Sequence, residues 1–419
     1  MIRFKKRTLD NDVIKTVVSF YLPGLFVQIG SALTITFQPL YAASLGANIR
    51  MIGFIAAATG IGSILFDMLG MWLSNKIKEK HFLFLALTGM SVFSFIKGIA
   101  GTPHFLMFCS FGYGFFYSAW GVGRLGYIRT RLPKRLRGRA LSGMGGIMRV
   151  SKILFPVLGG LSIKFLGYRS IFIAQSIILF AALVSMLVFF EQRKDEEYST
   201  VQKKTTLRHV IAGRQKSLIA AMVGITGLQL LRISRDLLYP LWADYIGISV
   251  EMIGLLSGVG GIVETLMVVP AGIVIDRFGR KFSAIPCIMG LSIAILLLPF
   301  THSAGTLTIV IVLMSLANGI GSGINMTIST DLAPKHEAAR FLSLWRLVTD
   351  TSQITAPTLA GYIAHALSLV SAPICFSILG LVAGFVMLFG MEETGETKGH
   401  TTPDNQKKTA RETPDGKRR

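Results

Sequence analysis

Long apolar runs alternate with short polar ones twelve times along this chain. The runs lie at roughly 14–43, 51–74, 82–101, 105–128, 139–166, 170–190, 217–245, 252–275, 282–301, 306–331, 339–367 and 370–391. Each holds about 20 residues or more, enough for a helix to cross a hydrocarbon layer ~30 Å thick. Backbone polar groups have no water to bond in lipid, so a crossing segment must satisfy them within itself. The pattern predicts an all-α polytopic membrane protein with twelve transmembrane helices. The polar stretch 191–216 divides them six and six, giving bundles at 1–190 and 217–391. The segment 392–419, rich in Thr, Lys, Gly and Pro, reads as a disordered tail.

Composition agrees with that pattern: 51% of the 419 residues are hydrophobic and 16% are charged, too apolar for a soluble chain of this length. The net charge of +21 invites a nucleic-acid reading, but the placement of the cations removes it. Counting residues at span edges, 32 Lys and Arg fall on one side of the proposed membrane, and only Arg50, Lys164 and Arg169 on the other. That asymmetry sets orientation, so both termini and the linker are expected in the cytoplasm of a bacterial-type inner membrane. Residues 1–11 are basic and polar and run into the first span without a cleavage pattern. The three cysteines lie inside apolar runs, and the seven histidines at ends, in loops or in the tail. No disulfide framework, zinc spacing or nucleophile–base pair follows from them, so no enzyme activity, metal or cofactor is expected. The lipid bilayer, a small-molecule substrate and protons are the expected partners, and the chain is expected to be a monomer.

The two halves repeat each other at a constant shift of 201 residues. Gln38-Pro39-Leu40-Tyr41 lies over Tyr239-Pro240-Leu241-Trp242, Gly46 over Gly247, and Met51-Ile52-Gly53 over Met252-Ile253-Gly254. Further on, Arg139-Ala140-Leu141-Ser142 meets Arg340-Phe341-Leu342-Ser343, and Pro156 with Gly160 meets Pro357 with Gly361. An unbroken register of this length implies two six-helix bundles of the same orientation, related by a pseudo-two-fold along the membrane normal.

One loop carries a recognisable signature. Gly272-Ile273-Val274-Ile275-Asp276-Arg277-Phe278-Gly279-Arg280-Lys281 closes the eighth span and turns into the ninth. With the duplicated six-span plan, it resembles the major facilitator superfamily, whose loop signature reads Gly-x-x-x-Asp-Arg-x-Gly-Arg-Lys. The loop after span 2 departs from it, with Asn75 in place of the acid. Asp276, with Arg277 and Gly279, is therefore the expected charge latch, with a partner near Arg139 at the start of span 5. Pro156-Val157-Leu158-Gly159-Gly160 is similar to an element of exporters in the superfamily, with Phe155 in place of its first glycine. The Gly-rich run Asn318–Asn325 lies within a span and reads as close helix packing rather than a nucleotide loop.

Charges inside the spans mark candidate function, because an ion at mid-bilayer costs ~2.5–3.5 kcal/mol on insertion scales. The densest set is Arg232, Arg235 and Asp236 in span 7, with Gln229 and Tyr239 on the same helical stripe. The adjacency of spans 2 and 11 in the family pairs Asp67 with Arg346, Asp350 sharing. The adjacency of spans 5 and 8 pairs Glu264 with Arg149 and Lys152. The resemblance also places spans 1, 4, 7 and 10 around a central cavity, giving Gln28, Arg124, Gln229, Arg232, Arg235, Tyr239 and Asn318 as substrate-binding candidates. Asp236 is the candidate proton carrier, with Glu264 beside it. A cationic excess favours an anionic substrate.

Proton-coupled efflux of a small amphipathic or anionic compound by alternating access is the leading expectation. Uptake of an anionic nutrient or organophosphate, flipping of an anionic lipid-linked molecule, and a non-transporting receptor stand as alternatives. The first-half counterparts of Arg232, Arg235 and Asp236 are Ser31, Thr34 and Ile35, so the fold itself does not demand these charges.

Overall fold

A computed structural model describes residues 11–74, 79–131, 134–189, 215–334 and 337–393. The linker up to Arg214 and the tail beyond Glu393 lie outside them. Sixteen α-helices are described. In the first half these are α1 (Asn11–Thr34), α2 (Gln38–Ser44), α3 (Ile49–Ser74), α4 (Glu79–Gly98), α5 (Pro103–Arg131), α6 (Lys134–Leu166) and α7 (Arg169–Phe189). The second half has α8 (Gln215–Tyr245), α9 (Val250–Leu266), α10 (Val268–Phe278), α11 (Lys281–Leu296), α12 (Ala304–Ile320), α13 (Ile324–Leu332), α14 (Ala338–Asp350), α15 (Ser352–Ala366) and α16 (Ser371–Gly390). Consecutive helices at short breaks make twelve rods.

The breaks follow from sequence. Pro39 in the first turn of α2 removes an N–H from the ladder, and α1 and α2 meet at 46°. Gly323, at φ +80°, ends the α12–α13 continuity in a left-handed conformation that other residues rarely adopt. Gly46 and Gly247, repeat mates, turn the chain at φ +84° and +80° at corresponding corners of the two halves.

Ten rods are long and apolar enough to cross a bilayer, and eleven when bent α1–α2 counts as one. The α14–α15 rod falls short of the expected twelfth by that measure. Its polar residues explain the shortfall: Arg340, Arg346, Asp350 and Gln353 dilute it, and α15 packs on α3 and α8.

The halves meet along two seams, α3 against α14–α15 and α6 against α9. A Cβ on Gly53 would overlap the Pro357 carbonyl, and one on its repeat mate Gly254 would overlap the Pro156 carbonyl. Close approach of this kind needs glycine. Seam contact is densest towards the face opposite the termini, where Lys164 Nζ lies 2.8 Å from Glu251 Oε1 and the Arg50 guanidinium sits 5.7 Å from the Tyr362 ring centre. On the termini side α10 packs on α9, α11 and α12 of its own half.

Candidate functional site

Between the halves lies a cavity of about 420 Å³ bordered by helices of both. Its second-half wall is α8, which contributes Gln229, Arg232, Ile233, Asp236 and Leu237. Ser31, Thr34 and Ile35 of the first rod face them, with Gln38, Lys97, Tyr113 and Tyr117 on the first-half side and Gln353 beside them. A smaller space of about 110 Å³ adjoins, bordered by Lys152, Arg235, Asp236, Tyr239, Ser257 and Glu264. Asp236 borders both.

The two arginines of α8 have different surroundings. Arg235 donates to Asp236 Oδ1 from Nε at 3.0 Å and Nη2 at 2.8 Å, and its Nη1 lies 3.8 Å from Glu264 Oε2. Its charge is matched. Arg232 donates from Nε to Asn318 Oδ1 at 2.7 Å, from Nη1 to Gln229 Oε1 at 3.3 Å and from Nη2 to the Gly321 carbonyl at 3.0 Å. All three acceptors are neutral. The guanidinium is oriented by them, yet it is in no ion pair among the described residues, in a place where charge is costly. The break between α12 and α13 supplies the Gly321 carbonyl, since carbonyls at a helix end have lost their i+4 donors.

Asp67, Arg346 and Asp350 come together as one cluster. Arg346 Nη2 lies 3.3 Å from Asp67 Oδ2, and its Nε is 3.1 Å from Asp350 Oδ2. Ser118 also donates to Asp67, a contact that spacing along the sequence does not signal.

Several expected placements need correction. Glu264 approaches Arg235 rather than Arg149, because α8 and α9 of one half present both side chains to the same small space. Arg149 instead donates to Ser322 Oγ at 3.2 Å, while Lys152 borders the small space that Glu264 also faces. Arg124 does not reach the cavity. It lies seven residues past Tyr117, ~10 Å along α5, and faces Ser19, Phe20 and Tyr127 inside the first half. Its Nε has no hydrogen-bond partner among the described residues. Gln28 is half-buried on α1 and does not border the cavity, whereas Ser31 and Thr34, one turn on, do. Asn318 is buried, holds Arg232 and also bonds Glu264. Tyr239 borders the smaller space and bonds α9, through the Ile253 carbonyl at 2.5 Å and Ser257 Oγ at 3.1 Å.

At the loop signature, Asp276 and Arg277 are exposed, and neither makes an ion pair among the described residues. Arg139, also exposed, does not meet Asp276. On the termini side α6 and α10 do not pack closely, which separates the expected partners. Gly279, at φ +101°, makes the turn. The Glu393 carboxylate accepts the Arg280 N–H at 2.7 Å and the Lys281 N–H at 3.0 Å at the start of α11, and Arg280 Nε lies 2.6 Å from Asp331 Oδ2.

Lys97 borders the cavity too, a residue that sequence reasoning counts among the cations inside the spans but gives no partner or role. It is 2% exposed, donates from Nζ to Gln38 Oε1 at 3.0 Å, and sits 4.6 Å from the Tyr113 ring centre. One signal was available: it is a lysine towards the face that otherwise holds almost no cations.

The family model for the Major Facilitator Superfamily matches this chain twice, over residues 21–237 and 230–414. The chain belongs to that superfamily. It is 24% identical over 384 residues to multidrug resistance protein MdtG of Enterobacter lignolyticus, covering 87% of each chain. It is 22% identical over 392 residues to the probable galactarate/D-glucarate transporter GudP of Bacillus subtilis, covering 83% of this chain and 85% of that one. Among solved structures, the nucleoside transporter NupG superposes with a TM-score of 0.73 at 12% identity, over 91% of this chain and all of that one. That likeness shows the fold. The chain is thus a polytopic membrane transporter of this superfamily, built as a duplicated bundle.

Proposed function

We propose that this protein is a proton-coupled secondary transporter that moves a small organic anion by alternating access, in the direction of export. The observation that supports the anion is Arg232: a guanidinium on the wall of a 420 Å³ cavity, held by three neutral acceptors and in no ion pair among the described residues. A bidentate guanidinium is suited to carboxylate or phosphate. Asp236, which borders both spaces and faces solvent on one edge, is the proposed proton carrier. The pair of seams, tight towards one face, supplies the element that rocks. With both termini proposed as cytoplasmic, this arrangement opens inward.

Export rests on the multidrug relatives. Pro156 and Gly160 pack α6 on α9 just as Pro357 and Gly361 pack α15 on α3, so the exporter-like element has a packing role and leaves direction open. Uptake of a sugar acid is the second reading, favoured by the likeness to GudP over most of both chains. Transport in inverted vesicles, against matched anionic and cationic amphiphiles and sugar acids, with and without a pH gradient, tests both. Accumulation of an anion inside the vesicles when their lumen is acid supports coupled export. Movement of cations alone, unaffected by Arg232→Ala, overturns the anion reading.

A further inference from the structure

Lys97 has no match in the second half. The repeat puts Leu298 at its position, and the surroundings otherwise correspond. Tyr41 Oη donates to the Lys97 and Ala100 carbonyls, each at 3.1 Å. Its repeat mate Trp242 donates from Nε1 to Thr301 Oγ1, the mate of Ala100, at 2.9 Å. The second half shows that this corner of the fold closes around an apolar side chain, so the lysine is not needed to build it.

What Lys97 does have is a buried ammonium beside the cavity. Its Nζ donates to one neutral acceptor, Gln38 Oε1, and lies over the Tyr113 ring face, with the Phe172 ring centre 5.9 Å away. Among the described residues no carboxylate lies within ion-pair distance of it. An ammonium has three donors, and the aromatic faces favour its charged form without neutralising it. The acid that shares the cavity, Asp236, is already bonded by Arg235. Lys97 and Arg232 therefore stand on first-half and second-half helices around one space, each oriented and neither in an ion pair among the described residues.

We infer that the cavity takes a dianion: a linear molecule with two carboxylate-type groups, one on Arg232 and the other on Lys97, bridging the two halves. This rests on the anion reading above and adds the second pole. A molecule held by one helix of each bundle binds best when both walls are near it, which ties occupancy to the approach of the halves.

The experiment uses the full-length protein in detergent micelles and follows the rise in unfolding temperature with added ligand. The probes are α,ω-dicarboxylates from succinate to suberate, each against the monocarboxylate of the same chain length. At one chain length the dicarboxylate is expected to bind ~10-fold or more tightly than its monocarboxylate, as one charge-assisted bond pair warrants. Lys97→Leu should bring that ratio to about one. A ratio unaffected by Lys97→Leu overturns the assignment of Lys97. Should that variant not fold, the wild-type series still decides. Equal binding of mono- and dicarboxylates at every length overturns the second pole and leaves the anion reading standing. Failure of all carboxylates, with stabilisation by cationic amphiphiles, overturns both.

Discussion

Set side by side, α1 and α8 hold equivalent places in the two halves and face the same cavity with different chemistry. The α1 wall offers Ser31 and Thr34, hydroxyls already engaged with Tyr113 Oη at 3.3 Å and the Gly30 carbonyl at 3.3 Å. The α8 wall offers Arg232, Arg235 and Asp236. One backbone plan tolerates either set, so the charges of α8 answer to something other than folding. Within that wall a second contrast appears. Arg235 is matched by two acids, whereas Arg232 is held by three neutral oxygens.

The largest expected effect separates those two arginines. Arg232→Ala should lower anion transport by ~10–100-fold, the loss of a charged hydrogen-bond pair, while the protein inserts and unfolds at nearly the wild-type temperature. Arg235→Ala should act mainly on stability, because it leaves Asp236 and Glu264 without their cation. Transport rates in vesicles alongside melting curves of the purified variants check this. Equal effects of both substitutions on both measurements would erase the distinction.

Next in size is the acid. Asp236→Asn keeps the shape of the side chain and removes its charge, so accumulation driven by a pH gradient should disappear while exchange of substrate across the membrane continues. Retained coupling would move the proton to Glu264 or Asp67. The measurement is uptake into vesicles under an imposed gradient, paired with counterflow in its absence.

These contrasts also mark what a sequence discloses. The repeat and the Asp67–Arg346–Asp350 cluster were legible. Register and depth within adjoining spans are properties of position along a helix. Angular and lateral detail was not. Glu264 lies at the depth of Arg149, but its side chain shares a space with Arg235 of its own half. Arg124 lies on a cavity helix but at the wrong height. Lys97 counted among the cations inside the spans but was given no role. Only the packing of α2, α5 and α7 around it reveals that it is buried.

A third contrast is between the seams. Asp67–Arg346 lies in one and joins a partly buried carboxylate to an exposed guanidinium, so reversing either charge opposes like to like, and the double reversal should partly restore transport. Arg346→Asp alone should reduce the rate severalfold or more, and Asp67→Arg added to it should recover a measurable fraction. No recovery would mean that the pair is held by its neighbours, Ser118 and Asp350, rather than by its own complementarity.

The smallest effect lies at the face opposite the termini. There the repeat sets Arg50 against Glu251, opposite charges at equivalent positions, and each bridges the halves differently. Lys164–Glu251 is an ion pair at 2.8 Å with side chains 48% and 30% exposed, and Arg50 lies over Tyr362. Exposed pairs contribute little and weaken with salt, whereas a cation over a ring loses less. Glu251→Gln should therefore shift the balance between the two facings by no more than about fivefold, towards opening at that face, and raised salt should mimic it in the wild type. Tyr362→Leu should produce a shift of similar size that salt does not reproduce. Accessibility of a cysteine placed at Ala47, read by the rate of thiol labelling in a background without Cys109, Cys287 and Cys375, reports the facing. Equal salt sensitivity in both variants would show that the two seams close by the same force.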